Sequence, residues 1–267
     1  MLQKVIVWFL KLTPQTKRWF WKRWYNIFAR RYNNLSLRCM NYGYYDKGFS
    51  PTLLPEDEQE RYPLQLYHHV ASQARISGKA VLEVGSGRGG GASYIAKTLG
   101  PSHYTGIDIS STAVDLCSRF YSQENLDFRV GDSESIPLED SSVDIVINVE
   151  SSHCYGSIPR FLKEVHRVLR PGGKFLFCDF RLSSQVDGLL SEFAPAGFKQ
   201  ESYSDITPNV IEALRRLSEY RRAEIQSKMP RFLHSTLEAF AGVEGSKVFT
   251  SFDDGTLRYI SASFEKQ

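Results

Sequence analysis

Long apolar runs are missing from this chain of 267 residues. The stretch Val5-Ile6-Val7-Trp8-Phe9-Leu10 is too short to span a bilayer, and no small-residue cleavage site follows it. Neither a spanning helix nor a secretory signal is expected. Cysteine is scarce too: Cys39, Cys117, Cys154 and Cys178 are scattered, with no CxxC and no Cys/His ligand spacing. That argues against structural zinc and against a disulfide framework, and it fits a reducing, cytoplasmic compartment. No cluster of carboxylates suits a catalytic Mg²⁺, so no metal is expected. There is no internal repeat and no low-complexity tract. Acidic residues are absent from positions 1–45, which hold nine Lys/Arg; the remainder carries 24 basic against 30 acidic residues.

That lopsided start is also aromatic. Trp8, Trp19, Trp21 and Trp24 all lie in it. If 17–32 is one helix, Trp21, Trp24, Tyr25, Phe28 and Tyr32 share a face by their i, i+3, i+4 spacing. Residues 1–55 read as a basic aromatic arm and loop, and 56–267 as the main domain. Residues 1–40 suit peripheral contact with a membrane or an anionic lipid. They equally suit a helix that packs on the core and closes a crevice. The acidic remainder argues against nucleic acid as a partner.

From Lys79 the chain alternates. Strands are expected at Ala80–Val84, Tyr104–Ile109, Phe128–Gly131, Val143–Val149 and Lys174–Asp179. Helices are expected over 56–77, 91–99, 113–120 and 159–169, the last stopped by Arg170-Pro171-Gly172-Gly173. This is the pattern of a doubly wound, Rossmann-like α/β fold with a parallel sheet. Further on, Gly197–Ile206 reads as a sixth strand, 208–241 as helical, and Thr256–Phe264 as a last strand.

The most informative stretch is Val81-Leu82-Glu83-Val84-Gly85-Ser86-Gly87-Arg88-Gly89-Gly90-Gly91. A buried strand runs into a glycine loop whose backbone can approach a ligand. Gly85, Gly87 and Gly90 satisfy G-x-G-x-x-G, which suits a dinucleotide as well as a methyl donor. Asp108, ending the second strand, can accept from both hydroxyls of a ribose. Three features separate the two readings: Glu83 inside the first strand, Gly131-Asp132-Ser133 after the third, and the Glu164–Gly173 helix-to-strand passage.

At these residues the chain resembles the class I S-adenosylmethionine (SAM)-dependent methyltransferases, over roughly residues 79–181. The resemblance implies a seven-stranded sheet with an antiparallel last strand. It implies that Gly85 and Gly87 flank the methionine part of SAM, Asp108 holds the ribose and Asp132 the adenine. Glu83, Ser86, Ile109, Ser133 and Asn148 complete the expected donor site. Leu66-Tyr67-His68-His69, Gly89–Tyr94, Tyr104-Thr105-Gly106 and Asn148–Tyr155 further resemble the phthiotriolone/phenolphthiotriolone dimycocerosates methyltransferases of mycobacteria. That resemblance implies O-methylation of a hydroxyl on a long polyketide-derived lipid. The form Gly85-Ser86-Gly87-Arg88 departs from it, as does the arm before residue 40.

An alcohol acceptor must lose its proton as it attacks, and a neutral histidine suits that task. His153 follows the fourth strand, at the carboxyl ends where ligand crevices form. Asp179 ends the fifth strand and is placed to orient His153, to stabilise its imidazolium or to bind the acceptor. His153 and Asp179 are the candidate catalytic residues. His68, His69 and His166 read as structural, and Glu150 as either a crevice residue or a partner of a backbone amide. The alternatives are a C- or N-methyltransferase of the same fold, or a dinucleotide oxidoreductase. Residues 208–250 read as a lid, with Phe232, Leu233, Leu237 and Phe240 suiting either a greasy acceptor or plain helix packing.

Overall fold

The structure, a computed structural model, describes residues 38–267; the helix expected over 17–32 lies outside the described residues. One sheet of seven strands organises the described chain: β1 (Ala80–Val84), β2 (His103–Asp108), β3 (Leu126–Val130), β4 (Val143–Val149), β5 (Leu169–Leu182), β6 (Phe198–Asp205) and β7 (Leu257–Lys266). The spatial order is β3-β2-β1-β4-β5-β7-β6. The pairs among β1 to β5 are parallel, and β7 runs antiparallel to both neighbours, as expected.

The flanking helices are α1 (Arg61–Ala71), α2 (Gly90–Thr98), α3 (Ser111–Phe120), α4 (Ile158–Val168), α5 (Val186–Leu190), α6 (Thr207–Lys228), α7 (His234–Phe240) and α8 (Lys247–Asp253). Helix α4 shows why the alternation folds this way. Ser157 caps its first turn by accepting from the Arg160 amide, and Phe161, Leu162, Val165 and Val168 form one buried stripe. Burying a side chain such as Phe161 contributes roughly 1.5–3 kcal/mol. In β4 the acidic exception has a structural cause: Asp144 accepts from the Ala80 amide at 2.8 Å and pairs with Arg170 at 2.9 Å.

Two boundaries differ from expectation. The helix expected over 56–77 is a 3-10 turn, Pro55–Glu60, followed by the shorter α1. Pro63 explains the break. It fits the first turn of a helix, but deeper in one its ring would meet the carbonyl four residues back. Arg170–Gly173 does not end the element cleanly either. Leu169 pairs with Val143 and Lys174 with Ile145, so these four residues bulge out of a longer β5.

Between β6 and β7, α6 buries Val210, Ala213, Leu214 and Leu217. Phe232 instead points outward, at 80% exposure, and supplies no core packing, while Phe240 is partly covered at 40%. Among the described residues no helix is long and apolar enough to cross a membrane.

Candidate active site

The cleft lies at the carboxyl ends of β1, β2, β3 and β4 and opens to solvent. Its floor is the glycine loop. Gly85 has φ +82, and a Cβ there would come within 2.5 Å of Ser151 Cβ and Oγ, so only glycine fits. The Gly85 and Ser86 amides donate to the Ile107 carbonyl, which ties the loop to β2. Gly91 is needed for a different reason: the Tyr67 ring lies where its Cβ would be.

Tyr67 in turn explains Glu83. The Glu83 carboxylate is fully buried and accepts from Tyr67 Oη at 2.8 Å and Tyr104 Oη at 2.9 Å. Burial pushes it up to about 7 against the pull of these two hydroxyls. It does not line the cleft. The residue expected to touch SAM instead fastens Tyr67, which does line it.

Asp108 does line the cleft. Its oxygens accept from the Gly87 amide at 2.9 Å and the Ser110 amide at 2.8 Å. Burial pushes its carboxyl up to about 6, with those two amides opposing. Gly85, Ser86, Gly87, Ile109, Asp132 and Ser133 share the same wall. Ser86 Oγ is buried and has no hydrogen-bond partner among the described residues. A buried hydroxyl left over beside an acceptor carboxylate and a glycine floor suits a polar, nucleoside-bearing ligand. The site therefore fits SAM. Asn148, like Glu83, stands behind the wall: its amide nitrogen lies 2.9 Å from Val84 O and 2.8 Å from Ser151 Oγ, fixing the loop after β4.

His153 and Asp179 do not themselves line the cleft: His153 sits beside it on a 3-10 turn, Ser152–Cys154, right after β4, with its neighbours Ser151 and Cys154 in the wall. His153 Nδ1 is 2.8 Å from Asp179 Oδ1, and its amide donates to Asp179 Oδ2 at 2.9 Å. Burial works against the imidazolium, but Cys154 and then Asp179 outweigh it and hold His153 above its usual value. Asp179 is fully buried, and both its oxygens are already engaged, so it does not bind an acceptor hydroxyl as one expectation had it. His68 pairs with Tyr94 Oη, His69 stacks on Tyr44, and His166 lies edge-on to Phe198.

Several lining residues had no sequence signal. Arg38, Cys39, Met40 and Asn41 cross the cleft as part of a strap, residues 38–49. Arg38 is anchored to Asp57 at 2.8 Å and Glu60 at 3.0 Å, and the Tyr42 amide donates to Glu150 Oε1 at 2.8 Å. Glu150 both lines the cleft and pairs with that amide. It also accepts from Tyr259 Oη at 2.6 Å, holds a left-handed φ of +44, and is pushed up to about 7 by burial. Its place directly after β4 was the available hint.

Comparison with known proteins agrees with this geometry. A family model described as a methyltransferase domain matches residues 82–177. The phthiotriol/phenolphthiotriol dimycocerosates methyltransferase of Mycobacterium leprae is 36% identical over 92% of this chain and 92% of its own length. A fatty-acid O-methyltransferase of Mycolicibacterium smegmatis is 35% identical over 91% and 88%. Among solved structures, the cyclase SpnF superposes with TM-score 0.66 at 19% identity, covering 95% of this chain and 96% of that one. The geranyl diphosphate C-methyltransferase of Streptomyces coelicolor gives 0.64 at 16%, covering 91% and 98%. At such identity these two share the fold alone, and a cyclase among them shows that the fold does not dictate the chemistry. The full-length relatives decide the matter: this chain belongs to the SAM-dependent methyltransferase family that includes the phthiotriol/phenolphthiotriol dimycocerosates methyltransferases.

Proposed function

We propose that the protein O-methylates a hydroxyl of a lipid-like, polyketide-derived acceptor, with His153 as the general base. The observation that carries this reading is the His153–Asp179 pair, 2.8 Å apart beside a cleft that fits SAM. Bound SAM supplies an electrophilic methyl group on a sulfonium sulfur. Asp108 accepts from the ribose hydroxyls, and Asp132 holds the adenine edge. Asp179 fixes the imidazole through Nδ1. Because, against burial, Cys154 and Asp179 hold the imidazole up at about 10, His153 takes the acceptor's proton only from its neutral form, so turnover should rise with pH toward that value. As the hydroxyl attacks, its proton passes to His153 and Asp179 stabilises the imidazolium. General-base help of this kind contributes about 10²–10⁴-fold. The relatives' names, one a phthiotriol derivative and one a fatty acid, support a lipid-like acceptor.

A second reading follows from the relative named for fatty acids: the acceptor is a carboxylate. Such an acceptor is already ionised near neutrality and needs no base. The two readings separate in one experiment. The protein and its His153→Ala variant are incubated with SAM and either a long-chain secondary alcohol or a long-chain fatty acid, and ether and ester are quantified by mass spectrometry. The hydroxyl reading expects ether formation that depends on His153. Ester alone, made equally well by the variant, would sink it.

The basic aromatic residues 1–40 support a place in the cytoplasm, against an anionic membrane from which a lipid acceptor is drawn. Full-length protein should pellet with liposomes containing anionic lipid at low salt and release at high salt. No pelleting at low salt would remove the membrane role.

A further inference from the structure

Asp179 serves more than His153. Its Oδ1 accepts from the Phe180 amide at 2.8 Å besides facing the imidazole. Its Oδ2 accepts from Ser152 Oγ at 2.5 Å and the His153 amide at 2.9 Å, and lies 3.1 Å from Arg181 Nη1. The Arg181 side chain is 11% exposed, and its Nη2 donates to Ser152 Oγ at 2.7 Å. The guanidinium therefore grips the carboxylate twice, once directly and once through the Ser152 hydroxyl.

Two cationic groups thus share one buried anion. An acid–base pair of imidazole and carboxylate needs no third charge. Without one, a buried carboxylate would draw a proton onto the imidazole and keep it there. A histidine locked as imidazolium cannot take a proton from an acceptor. A second cation on the same carboxylate weakens that pull while keeping the carboxylate ionised and oriented. Against burial, Cys154 and Asp179 still hold the imidazole up at about 10, so Arg181 limits the rise rather than removing it. Burial pushes the Asp179 carboxyl up, but Arg181 foremost, and then His153, hold it well below the usual carboxylate range.

We propose that Arg181, acting with Ser152, is the positioning residue that sets the basicity of His153 by sharing the Asp179 carboxylate with the imidazole. Its part in turnover rests on the reading of His153 as general base; its effect on the imidazole does not. The other titratable or charged groups around the pair are Cys154 on the same turn, Tyr155 just after it, Glu150 after β4, Cys178 on β5, Tyr42 on the strap and Tyr259 on β7, with Arg221 on α6 behind Glu150 and Tyr42. A substitution at Arg181 leaves all of these in place.

The test follows the His153 ring by NMR in full-length protein carrying ¹³C-labelled histidine, with the resonance assigned from its loss in His153→Ala. In Arg181→Met the titration midpoint should rise by about one pH unit, a tenfold gain in proton affinity. Arg181→Lys keeps the charge but cannot make both contacts, so it should give a rise smaller than that of Arg181→Met. Ser152→Ala removes only the relay, so it should give a smaller rise in the same direction; it carries the test if Arg181→Met does not fold. Binding of SAM by calorimetry checks folding in each case. The pH dependence of turnover on the long-chain alcohol should move upward with the midpoint, whereas a merely structural loss would lower turnover at every pH without moving it. A midpoint that stays put or falls in the folded variants overturns the proposal. Retained alcohol methylation in His153→Ala would overturn the base reading instead, and would leave the NMR result standing.

Discussion

The two ends of the cleft are built differently. The donor end is local and made largely of backbone: a glycine loop, the carboxyl ends of β1, β2 and β3, and acids held by amides a few residues away, as Asp108 is by Ser110. The acceptor end is assembled from distant side chains. Glu150 is held by Tyr42 and Tyr259, 108 and 109 positions away in sequence, and Arg221 reaches the Asn41 carbonyl 180 positions away. Donor recognition can thus be preserved by a short motif. The Glu150 end depends on how the strap, α6 and β7 meet, and the strap also touches the glycine loop, where the Gly90 amide donates to the Arg38 carbonyl at 3.2 Å.

If the ends are separable, the largest effect belongs to the acceptor end alone. His153→Ala should lower kcat on the alcohol by about a thousandfold, while SAM affinity measured by calorimetry stays unchanged. A parallel loss of SAM affinity would break the separation. Next in size, Asp108→Asn should weaken SAM roughly thirtyfold by removing charge-assisted bonds to the ribose. Because the Asp108 carboxyl titrates at about 6, SAM affinity of the parent should itself fall as the pH drops below that value, and the variant's should not. Calorimetry at pH 5 and 7.5 checks both.

Gly85→Ala should cost about 2 kcal/mol of stability and about tenfold in SAM affinity, since a Cβ at positive φ would press on Ser151. Thermal melts and calorimetry read the two. A last effect, confined to stability, sharpens the role of Glu83. Its folded carboxyl lies at about 7 against 4.5 in a solvated chain, so its stabilising contribution is full below 4.5 and is lost as the pH rises through 7. The Tm advantage of the parent over Glu83→Gln should therefore shrink between pH 4.5 and 7. A constant difference would show that Glu83 does not titrate there.

Legibility in the sequence follows the same divide. β1 and β4 were readable to the residue, because an apolar run bounded by charge or glycine leaves few alternatives. Seven of the expected donor residues line the cleft, from Gly85 to Ser133, because loop and strand-end positions are set by local spacing. Glu83 and Asn148 were placed at the right depth in the fold but with the wrong neighbours, since spacing cannot say which way a strand residue's partners lie. β5 was read too short because Pro171 and Gly172 look like a stop, and only pairing with β4 reveals a bulge. Arg38, Arg181 and Ser152 were silent because ion pairs and hydroxyl relays across the fold leave no periodic trace.

That bulge has a practical use. Arg170–Gly173 lies at the amino end of the fifth strand, on the edge of the sheet opposite the cleft, and a Cβ at Gly172 would meet nothing within 4 Å. The sheet already absorbs four residues there through one register shift against β4, after which pairing resumes at Lys174. A short peptide tag or a fluorophore-bearing insert at Gly172 should be accommodated in the same way, giving a handle for immobilising or tracking the enzyme while both substrates come and go freely on the far side.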